Sequence, residues 1–532
     1  MGKARAIATI DCETDPFKKG RIPAPFVWGM YDGDEFYQHE SLEVVLRKLT
    51  NREIIVYAHN GGKFDFHFML DHLDEYSDIM IINGRIAKFK IGLAEFRDSF
   101  LIIPTALKAF KKDDFDYSLL EKDVRYKSEN WNKIVKYLES DCRNLYEYVN
   151  EFIDRFGNGL TVAGTAMRQW QKMTGETAPK SDKIFYDFFE PYYYGGRVQC
   201  FQHGVIETDF NVIDINSAYP RAMLENHPIG LLYTTRNGDI ESDNYGAAFF
   251  QVRGIAQGCF PFRNDKGALL FPDDNEVRDY FVTGWELIVA RQTKTFVGTV
   301  IASHEFSTLT DFKQYINHFY EARKQAKEVG DKAGDIFNKL LMNSLYGKFG
   351  ADPTDYSDYV VIPPDDLGYV KNSGFMFSGE FGKWILITKG LDDEKQRFYN
   401  VATSASITGY VRAFLFNSII DCGRDNVLYC DTDSLAITRI GENITFGNAL
   451  GEWKDEGQFD KAGISGKKLY IFRGKPKGGK REYKVASKGV KLSNNQLWRI
   501  AAGGKVYYEP ENPSFSVHNG IGFINRTVQQ TF

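Results

Sequence analysis

Two acidic residues, separated by a single residue, stand between short apolar runs in residues 427–435, VLYCDTDSL. Asp431 and Asp433 fall where VLYC turns into SLAI, a pattern that predicts the tip of a β-hairpin. Asp214 ends another apolar run, NVID. Carboxylates this close repel each other and raise each other's pKa unless a cation neutralises them. The three acids could therefore hold metal ions, although Asp431 and Asp433 alone are more simply explained as a plain hairpin turn.

A second group of acidic residues lies nearer the N-terminus. Asp11 and Glu13 in IDCET point to the same face if this segment is a strand. Tyr137 and Asp141 are one turn apart on an expected helix and share a face. Asp65 follows an Asn-Gly-Gly turn. Four carboxylates with a tyrosine nearby are what a phosphodiesterase site with two divalent ions requires, although each acid alone is more simply a cap or a surface charge.

Cations are expected to face the later acidic group. Residues 309–350 have helical periodicity except at Val-Gly-Asp 329–331, which predicts two antiparallel helices joined by a turn. Positions equally far from that turn pair Arg323 with Lys339, and Lys339, Asn343 and Tyr346 share one face. Cations over a carboxylate and metal site could bind a triphosphate. The chemistry indicated is phosphoryl transfer in which metals and cations stabilise charge.

Other segments must position these residues. Residues 1 to about 155 alternate strand-like and helical runs, which is typical of an α/β domain. FNVIDINSAYP predicts a buried strand ended by Pro220, because proline cannot continue a strand ladder. Short strands and turn signals predict an inserted subdomain at residues 226–309 and a small β insertion at residues 350–398.

Composition limits the class of protein. At 532 residues, with 43% hydrophobic and 26% charged residues, the chain is expected to be a multi-domain globular protein. The longest apolar runs are shorter than the roughly 20 residues that a membrane-spanning helix needs, and acidic residues come too early for a signal peptide. These features predict a cytosolic protein without a membrane partner. The six cysteines form no C-x-x-C pair, which argues against a zinc knuckle, an iron–sulfur cluster or a disulfide framework.

The net charge of −5 conceals a local basic tract. Residues 461–491 contain eleven Lys or Arg and one acid, Glu482, interleaved with aromatic residues. This mixture suits a nucleic-acid backbone, although a solvated charged surface is the alternative.

Six motifs in order resemble those of a known family. DINSAYP, KLLMNSLYGKFG and YCDTDS resemble the three polymerase motifs of family B DNA polymerases, and DCET, HNGGKFDF and YLESD resemble the motifs of their 3′–5′ proofreading exonuclease. YYYGG, TGYVR and KLY resemble motifs of the protein-primed subgroup. The N-terminal region is most similar to the polymerases of tectivirus-type phages. The resemblance spans residues 11 to about 490.

The resemblance implies an α/β and α+β multi-domain fold, with an RNase H-like exonuclease domain and a right-hand polymerase that carries two inserted subdomains. The implied domains are 1–160 exonuclease, 161–225 linker and first part of the palm, 226–309 first insertion (terminal-protein region 1-like), 310–349 fingers, 350–398 second insertion (terminal-protein region 2-like), 399–491 second part of the palm, and 492–532 thumb.

The resemblance also assigns roles at the polymerase site. Asp214 and Asp433 would bind the metals, with Asp431 beside them. Tyr219 would select deoxynucleotides by excluding a 2′-hydroxyl, Lys339 would bind the triphosphate, and Arg323, Lys324 or Lys327 would assist. The remaining implied contacts are Asn343 and Tyr346 with the nucleotide, Lys468 and Tyr470 with the primer end, and Tyr193, Gly195, Gly196, Thr408 and Arg412 with DNA.

At the exonuclease site the implied metal ligands are Asp11, Glu13, Asp65 and Asp141. Tyr137 would orient the attacking water, and Lys112, or Lys111 if the register is shifted, would be the catalytic lysine. The residues implied to hold the frayed single strand, the aromatic ones by stacking, are Thr14, Asn60, Phe64, Ser99 and Phe100.

The function implied is a DNA-directed DNA polymerase that replicates a linear phage genome by protein priming, with strand displacement and 3′–5′ proofreading. Two Mg²⁺ ions, or Mn²⁺, are expected at each site. The expected partners are primer-template DNA, deoxynucleotides and a terminal protein, for a monomer in the host cytoplasm. The alternatives are a conventionally primed family B replication or repair polymerase and, more remotely, an inactive DNA-binding scaffold.

Overall fold

The N-terminal part of the chain builds a mixed sheet with one long helix packed against it. The computed structural model describes residues 6–109, 114–392, 394–475 and 481–531. The first elements are β1 Ala6–Thr14, β2 Pro25–Tyr31, β3 Phe36–His39, α1 Leu42–Leu49, β4 Ile54–Ala58, β5 Asp78–Ile82, β6 Arg85–Ile91, β7 Ala94–Asp98 and α2 Ser128–Phe156. β1 is almost wholly buried, and Thr9 Oγ1 donates a hydrogen bond of 2.8 Å to the Cys142 carbonyl of α2. The predicted α/β organisation of this region is confirmed.

The central sheet begins after two linking helices. Its first elements follow in the order α3 Val162–Thr174, α4 Lys183–Phe189, β8 Val198–Cys200, β9 Gly204–Ile206, β10 Phe210–Ile215 and α5 Ala218–Ala222. The strand β10 ends at Ile215, so the prediction that Pro220 ends it is wrong. Pro220 lies in the first turn of α5, where a backbone N–H has no partner within the helix and its absence costs little.

The next segment forms a four-stranded sheet of its own, in the order β12-β17-β13-β16. Its elements are β11 His227–Pro228, β12 Tyr233–Asn237, β13 Phe249–Ala256, β14 Phe262–Arg263, β15 Leu269–Leu270, β16 Val277–Thr283, α6 Gly284–Gln292, β17 Phe296–Phe306 and β18 Leu309–Thr310. A capping box joins Thr283 and Glu286 at the start of α6.

The predicted helical hairpin is confirmed as α7 Lys313–Val329 and α8 Lys332–Phe349. Gly330 ends α7 with a left-handed φ of 75°, and the Asp331 side chain caps α8 by accepting from Gly334 N. The start of α8 packs on α2, where the rings of Phe337 and Phe152 lie 5.3 Å apart.

The following segment joins the N-terminal sheet. It contains β19 Ser357–Ile362, α9 Leu367–Ser373, β20 Met376–Phe381 and β21 Trp384–Gly390. β19 pairs with β5 through Tyr359 and Ile79, which gives a ten-stranded sheet in the order β20-β21-β19-β5-β6-β7-β4-β1-β2-β3. Residues 350–398 therefore extend the N-terminal sheet.

The chain then completes the central sheet with α10 Val401–Cys422, β22 Val427–Asp431, β23 Ser434–Ile437, β24 Trp453–Gly466, β25 Leu469–Gly474 and β26 Tyr483–Ser487. The order is β26-β25-β24-β10-β23-β22-β8, and β9 also pairs with β24. The last elements are α11 Asn494–Ala501, β27 Val506–Tyr508, β28 Ser514–Ser516, β29 Gly520–Gly522 and β30 Arg526–Val528. Among the described residues, none of the helices is both long and apolar enough to cross a membrane.

Candidate active sites

Three strands of the central sheet bring the later acidic residues together. Asp431 on β22 pairs with Ser434 on β23, and Ser434 also pairs with Asp214 on β10. The turn between β22 and β23 is tight, with a left-handed φ of 62° at Thr432 and a hydrogen bond of 2.7 Å from Asp433 N to the Asp431 carbonyl. Ile215 N donates to the Asp433 carbonyl over 2.8 Å, which holds the turn against β10. The predicted hairpin tip is confirmed.

The electrostatics of this site favour a bound cation. Burial, followed by the charges of Asp214 and Asp431, raises the pKa of Asp433 to about 7. Burial and the charge of Glu456 raise the pKa of Asp214. Asp431 instead pairs with Lys468, whose Nζ lies 2.7 and 2.9 Å from the two carboxylate oxygens. The pKa values of Asp214 and Asp433 are thus both raised, as expected of acids whose charge a metal ion would neutralise. Their rank above Asp431 as metal ligands stays a prediction.

A glycine allows the preceding loop to lie against this turn. A Cβ added at Gly196 would lie 2.7 Å from Thr432 Cγ2, closer than such contacts allow. The neighbouring Arg197 carbonyl accepts a hydrogen bond of 2.6 Å from Thr432 N. The segment Tyr193 to Gly196 therefore supports the turn between β22 and β23, and Gly195 is exposed.

Arg412 and Thr408 require a correction. Both were expected to contact DNA, but each is only 2% exposed. Arg412 Nη1 donates to the Tyr194 carbonyl over 2.5 Å, and its Nε pairs with Glu286 Oε1 over 2.7 Å. Thr408 Oγ1 accepts from Arg412 Nη1 over 3.2 Å. A side chain held in this way cannot reach a DNA strand, so both residues fix the loop of residues 193–196 from below.

Arg412→Ala is expected to lower the free energy of unfolding by about 3–5 kcal/mol, because it leaves the Glu286 carboxylate buried without its cation. Urea unfolding followed by tryptophan fluorescence would measure the change. The matched control is Arg47→Ala, which removes an exposed ion pair with Glu43 and should cost less than about 1 kcal/mol. Equal effects of the two variants would contradict the structural role of Arg412.

Three of the predicted nucleotide-binding residues lie within electrostatic range of Asp214 or Asp433, namely Tyr219, Tyr346 and Lys339. The rings of Tyr219 and Tyr346 stack with centroids 4.3 Å apart and planes 6° apart. Lys339 is exposed, and its charge lowers the pKa of Asp214. Asn343 Nδ2 donates to the Lys339 carbonyl over 2.8 Å.

Arg323 does not face Lys339 as an unpaired cation. Its Nε pairs with Asp335 Oδ1 over 2.7 Å, whereas Lys324 and Lys327 are exposed. Tyr470, predicted at the primer end, stacks on Phe472 with centroids 4.4 Å apart.

The exonuclease-like acids converge from β1, the short helical turn after Asn60, and α2. Burial and then the charges of Asp65, Asp141 and Glu13 raise the pKa of Asp11 well above its ordinary value. Burial raises the pKa of Asp65 to about 7, although the Cys12 thiol donates to its Oδ1 over 3.3 Å. The structure therefore brings together all four predicted acids.

A divalent cation fits both acidic groups by their chemistry. Within the described ranges, no three His, Cys, Asp or Glu side chains already have the spacing of a metal centre. The fit therefore rests on the oxygen donors themselves and on the repulsion between the carboxylates, which a divalent ion would relieve.

The predicted water-orienting tyrosine lies beside this group. Tyr137 OH is 3.1 Å from Tyr117 OH, and the Tyr137 ring stacks on Phe115 with centroids 4.2 Å apart. Burial, followed by the bond to Tyr117 and the charge of Asp141, raises the pKa of Tyr137. Lys112 and its alternative Lys111 lie outside the described residues.

The predicted single-strand residues are distributed unevenly. Phe64 and Phe100 are half-buried, and Asn60 has a left-handed φ of 62°. Thr14 and Ser99 are buried, and Ser99 Oγ donates to the Ala58 carbonyl over 3.2 Å. The prediction that the Thr14 and Ser99 side chains contact the single DNA strand directly is therefore corrected. These buried side chains support the surface on which the strand would lie.

Two residues at this surface were missed by the sequence. Arg85 Nη1 donates to Asn60 Oδ1 over 2.8 Å, and its guanidinium lies 4.5 Å from the Phe100 ring. Phe515 of β28 packs on Phe64 with centroids 5.0 Å apart. Neither residue belongs to a motif, so no local signal could have identified it.

The metal-free protein should gain stability when Asp433 loses its charge. Its folded pKa of about 7 lies above the ordinary value of 3.8, so the folded state holds the proton more tightly and stability falls as pH rises from about 4 to 7. Asp433→Asn should therefore stabilise the protein at pH 8 by about 2 kcal/mol, with the gain vanishing near pH 4. Thermal unfolding in EDTA across this range measures the effect, and an equal gain at both ends would contradict it.

Comparison with known proteins agrees with this geometry. The sequence model described as DNA polymerase type B, organellar and viral, matches residues 45–130 and 108–444. The DNA-directed DNA polymerase of Enterobacteria phage PRD1 is 33% identical over 571 aligned residues, which cover 99% of this chain and 98% of that protein. The DNA polymerase of Streptococcus phage Cp-1 is 25% identical and covers 82% of each chain.

The fold is also that of a solved polymerase. The structure of phi29 DNA polymerase complexed with primer-template DNA has a TM-score of 0.77 and 18% identity, covering 99% of this chain and 100% of that one. At this identity the similarity concerns the fold alone. The predicted multi-domain family B fold is confirmed, as is the predicted enzyme class. The chain belongs to the organellar and viral type B DNA polymerases and is a DNA-directed DNA polymerase.

Proposed function

We propose that this polymerase extends DNA at the central sheet, excises 3′-terminal nucleotides at the N-terminal sheet, and begins synthesis on a hydroxyl group of a terminal protein. The observation that carries the polymerase assignment is the row Asp214, Ser434 and Asp431 beside the stacked pair Tyr219 and Tyr346. Carboxylates, stacked rings and an exposed lysine are together what a deoxynucleoside triphosphate requires.

At the polymerase site, Asp214 and Asp433 would hold the divalent ions that DNA polymerases use, and we propose two Mg²⁺ or Mn²⁺ ions there. When bound, such ions stabilise charge on the transferred phosphate and its leaving group. Tyr219 and Tyr346 form a flat wall against which the sugar and base of the nucleotide can lie. Lys468 forms an ion pair with Asp431, and the motif resemblance places it at the primer end. Its ammonium group would therefore contact both the acid and the primer.

At the exonuclease site, Asp11, Glu13, Asp65 and Asp141 would hold two further ions. Tyr137 would position water near these acids, with its hydroxyl fixed by Tyr117. Phe64, Phe100 and Asn60 offer a half-buried surface for unpaired nucleotides. Proofreading then follows from two sites on one chain.

Protein priming is supported by the motifs around the catalytic turn. The segments at residues 193–196, 408–412 and 468–470 resemble those of protein-primed enzymes, and all three surround Asp431 or support its turn. We also propose that the sheet of residues 226–309 docks the terminal protein and that residues 350–398 surround DNA and separate its strands. The polymerase would act as a monomer in the host cytoplasm.

Incorporation on an unprimed linear template, with and without terminal protein, tests the priming proposal. Covalent labelling of the terminal protein by one deoxynucleotide supports it. Extension that always needs a DNA primer would support the conventionally primed alternative. Product longer than a primed circular template would support strand displacement.

A further inference from the structure

Two lysines lie on the strands β24 and β26, on the opposite side of β10 from the turn between β22 and β23. Lys454 is the direct cross-strand partner of Asp214 in the antiparallel pair β10 and β24. Opposed residues in such a pair share a face, with Cβ atoms about 4.5–5.5 Å apart. Lys484 reaches the same place from β26. No polymerase motif contains either residue.

One carboxylate holds both lysines. Glu456 Oε1 lies 2.6 Å from Lys454 Nζ, and Glu456 Oε2 lies 3.6 Å from Lys484 Nζ. Two ammonium groups share one carboxylate, so this cluster keeps one net positive charge. Lys454 is 59% exposed and Lys484 33% exposed, which leaves both available to a ligand.

The opposite flank of the site is arranged differently. There, Lys468 Nζ donates hydrogen bonds to both carboxylate oxygens of Asp431. The charges of Lys484, Lys454 and Lys339 of α8 all lower the pKa of Asp214 against the effect of its burial. Three lysines from three elements therefore surround Asp214 within electrostatic range.

We propose that Lys454 and Lys484, held by Glu456, bind the β- and γ-phosphates of the incoming nucleotide and the pyrophosphate that it releases. This inference rests on the proposed polymerase site. In extension, the primer 3′-oxygen bonds to the α-phosphorus, and the bond from that phosphorus to the bridging oxygen breaks. The pyrophosphate leaves with the bonding electron pair, and the hydroxyl proton passes to solvent.

The position of the lysines favours polyphosphate over the DNA backbone. Lys454 is the cross-strand partner of Asp214 on β24, whereas the proposed primer contact Lys468 pairs with Asp431 on β22, on the other side of β10 in the sheet order. Ammonium groups bind phosphate oxygens as point charges without fixed geometry. They can therefore follow the phosphates from bound nucleotide to released product.

The test uses the full chain with Lys454→Ala and Lys484→Ala combined. Steady-state extension with varied deoxynucleotide and pyrophosphorolysis with varied pyrophosphate should each show KM raised about tenfold with kcat little changed. Exonuclease activity and the Kd for primer-template, measured by fluorescence anisotropy without nucleotide, should stay at wild-type values. A rise in only one KM assigns the contact to the nucleotide or to the product alone, and still supports a phosphate site.

Two further variants separate charge from structure. The Arg substitutions at both positions keep the charge and should restore KM to within about threefold. Lys183→Ala removes an exposed lysine that pairs with Asp187 over 2.7 Å on α4 and should change neither KM.

KM changes below about twofold, or a matching loss of primer-template affinity, would overturn the inference. That outcome leaves the proposed polymerase site intact as long as the wild-type chain extends primers. Failure of the wild-type chain to extend any primer would instead overturn the proposed function.

Discussion

Asp433→Asn is expected to lower primer extension by about 10³-fold or more, because the amide keeps the shape of the side chain but loses the charge that holds the metal ions. Asp433 is the acid whose pKa is raised to about 7 by burial and by its two neighbours, so it gains most from a cation. Single-nucleotide incorporation on a primed template under rapid-quench conditions measures the loss.

The same variant should degrade single-stranded DNA at the wild-type rate, since the proposed exonuclease acids lie on β1, in the short turn after Asn60 and on α2, outside the central sheet. Asp425→Asn, at an exposed acid just before β22, is the matched control and should extend normally. Retention of extension by Asp433→Asn would contradict the metal assignment. Loss of both activities in a folded variant would contradict the separation of the two sites.

Asp11→Asn combined with Glu13→Gln should abolish excision, with a loss of about 10³-fold or more, and spare extension. Both acids lie on β1, and burial, followed by repulsion from Asp65, Asp141 and Glu13, raises the pKa of Asp11. Removing two charges relieves that repulsion, so the variant should fold at least as well as the wild type. Release of labelled 3′-nucleotides from single-stranded DNA measures the effect.

The matched control replaces two exposed acids of the same region, Asp34→Asn with Glu53→Gln, and should leave excision unchanged. A mispaired primer end separates the proposed roles further. The Asp11 and Glu13 variant should extend the mismatch without removing it, whereas the control should correct it first. Normal removal of the mispaired end by the double variant would contradict the exonuclease assignment.

The spacing of residues along the chain predicts much of the geometry of the two acidic sites. The carboxylates of VLYCDTDSL lie at a hairpin tip because a two-residue turn between two apolar strands leaves few other structures. Tyr137 and Asp141 share a face because they are one helical turn apart on α2. Such predictions succeed because the geometry is set within one element.

Contacts between distant elements escaped the sequence. Arg412 was expected at DNA, but its charge is neutralised by Glu286, a residue 126 positions away on α6. Arg323 was expected to face Lys339, but it forms an ion pair with Asp335, which lies one helical turn before Lys339 on α8. An ion pair depends on which side chains the packing of distant elements brings together. A short sequence motif does not contain that information.

The sequence by itself determined the family, the two sets of acids and the helical hairpin, since each is written in short ordered motifs. The tertiary structure alone decided that β19 extends the N-terminal sheet, that Lys468 belongs to Asp431, and that Lys454 stands opposite Asp214. The physical reason is that strand register and burial arise between segments far apart in the chain. Spacing along a segment specifies which face a side chain occupies, and packing specifies what that face meets.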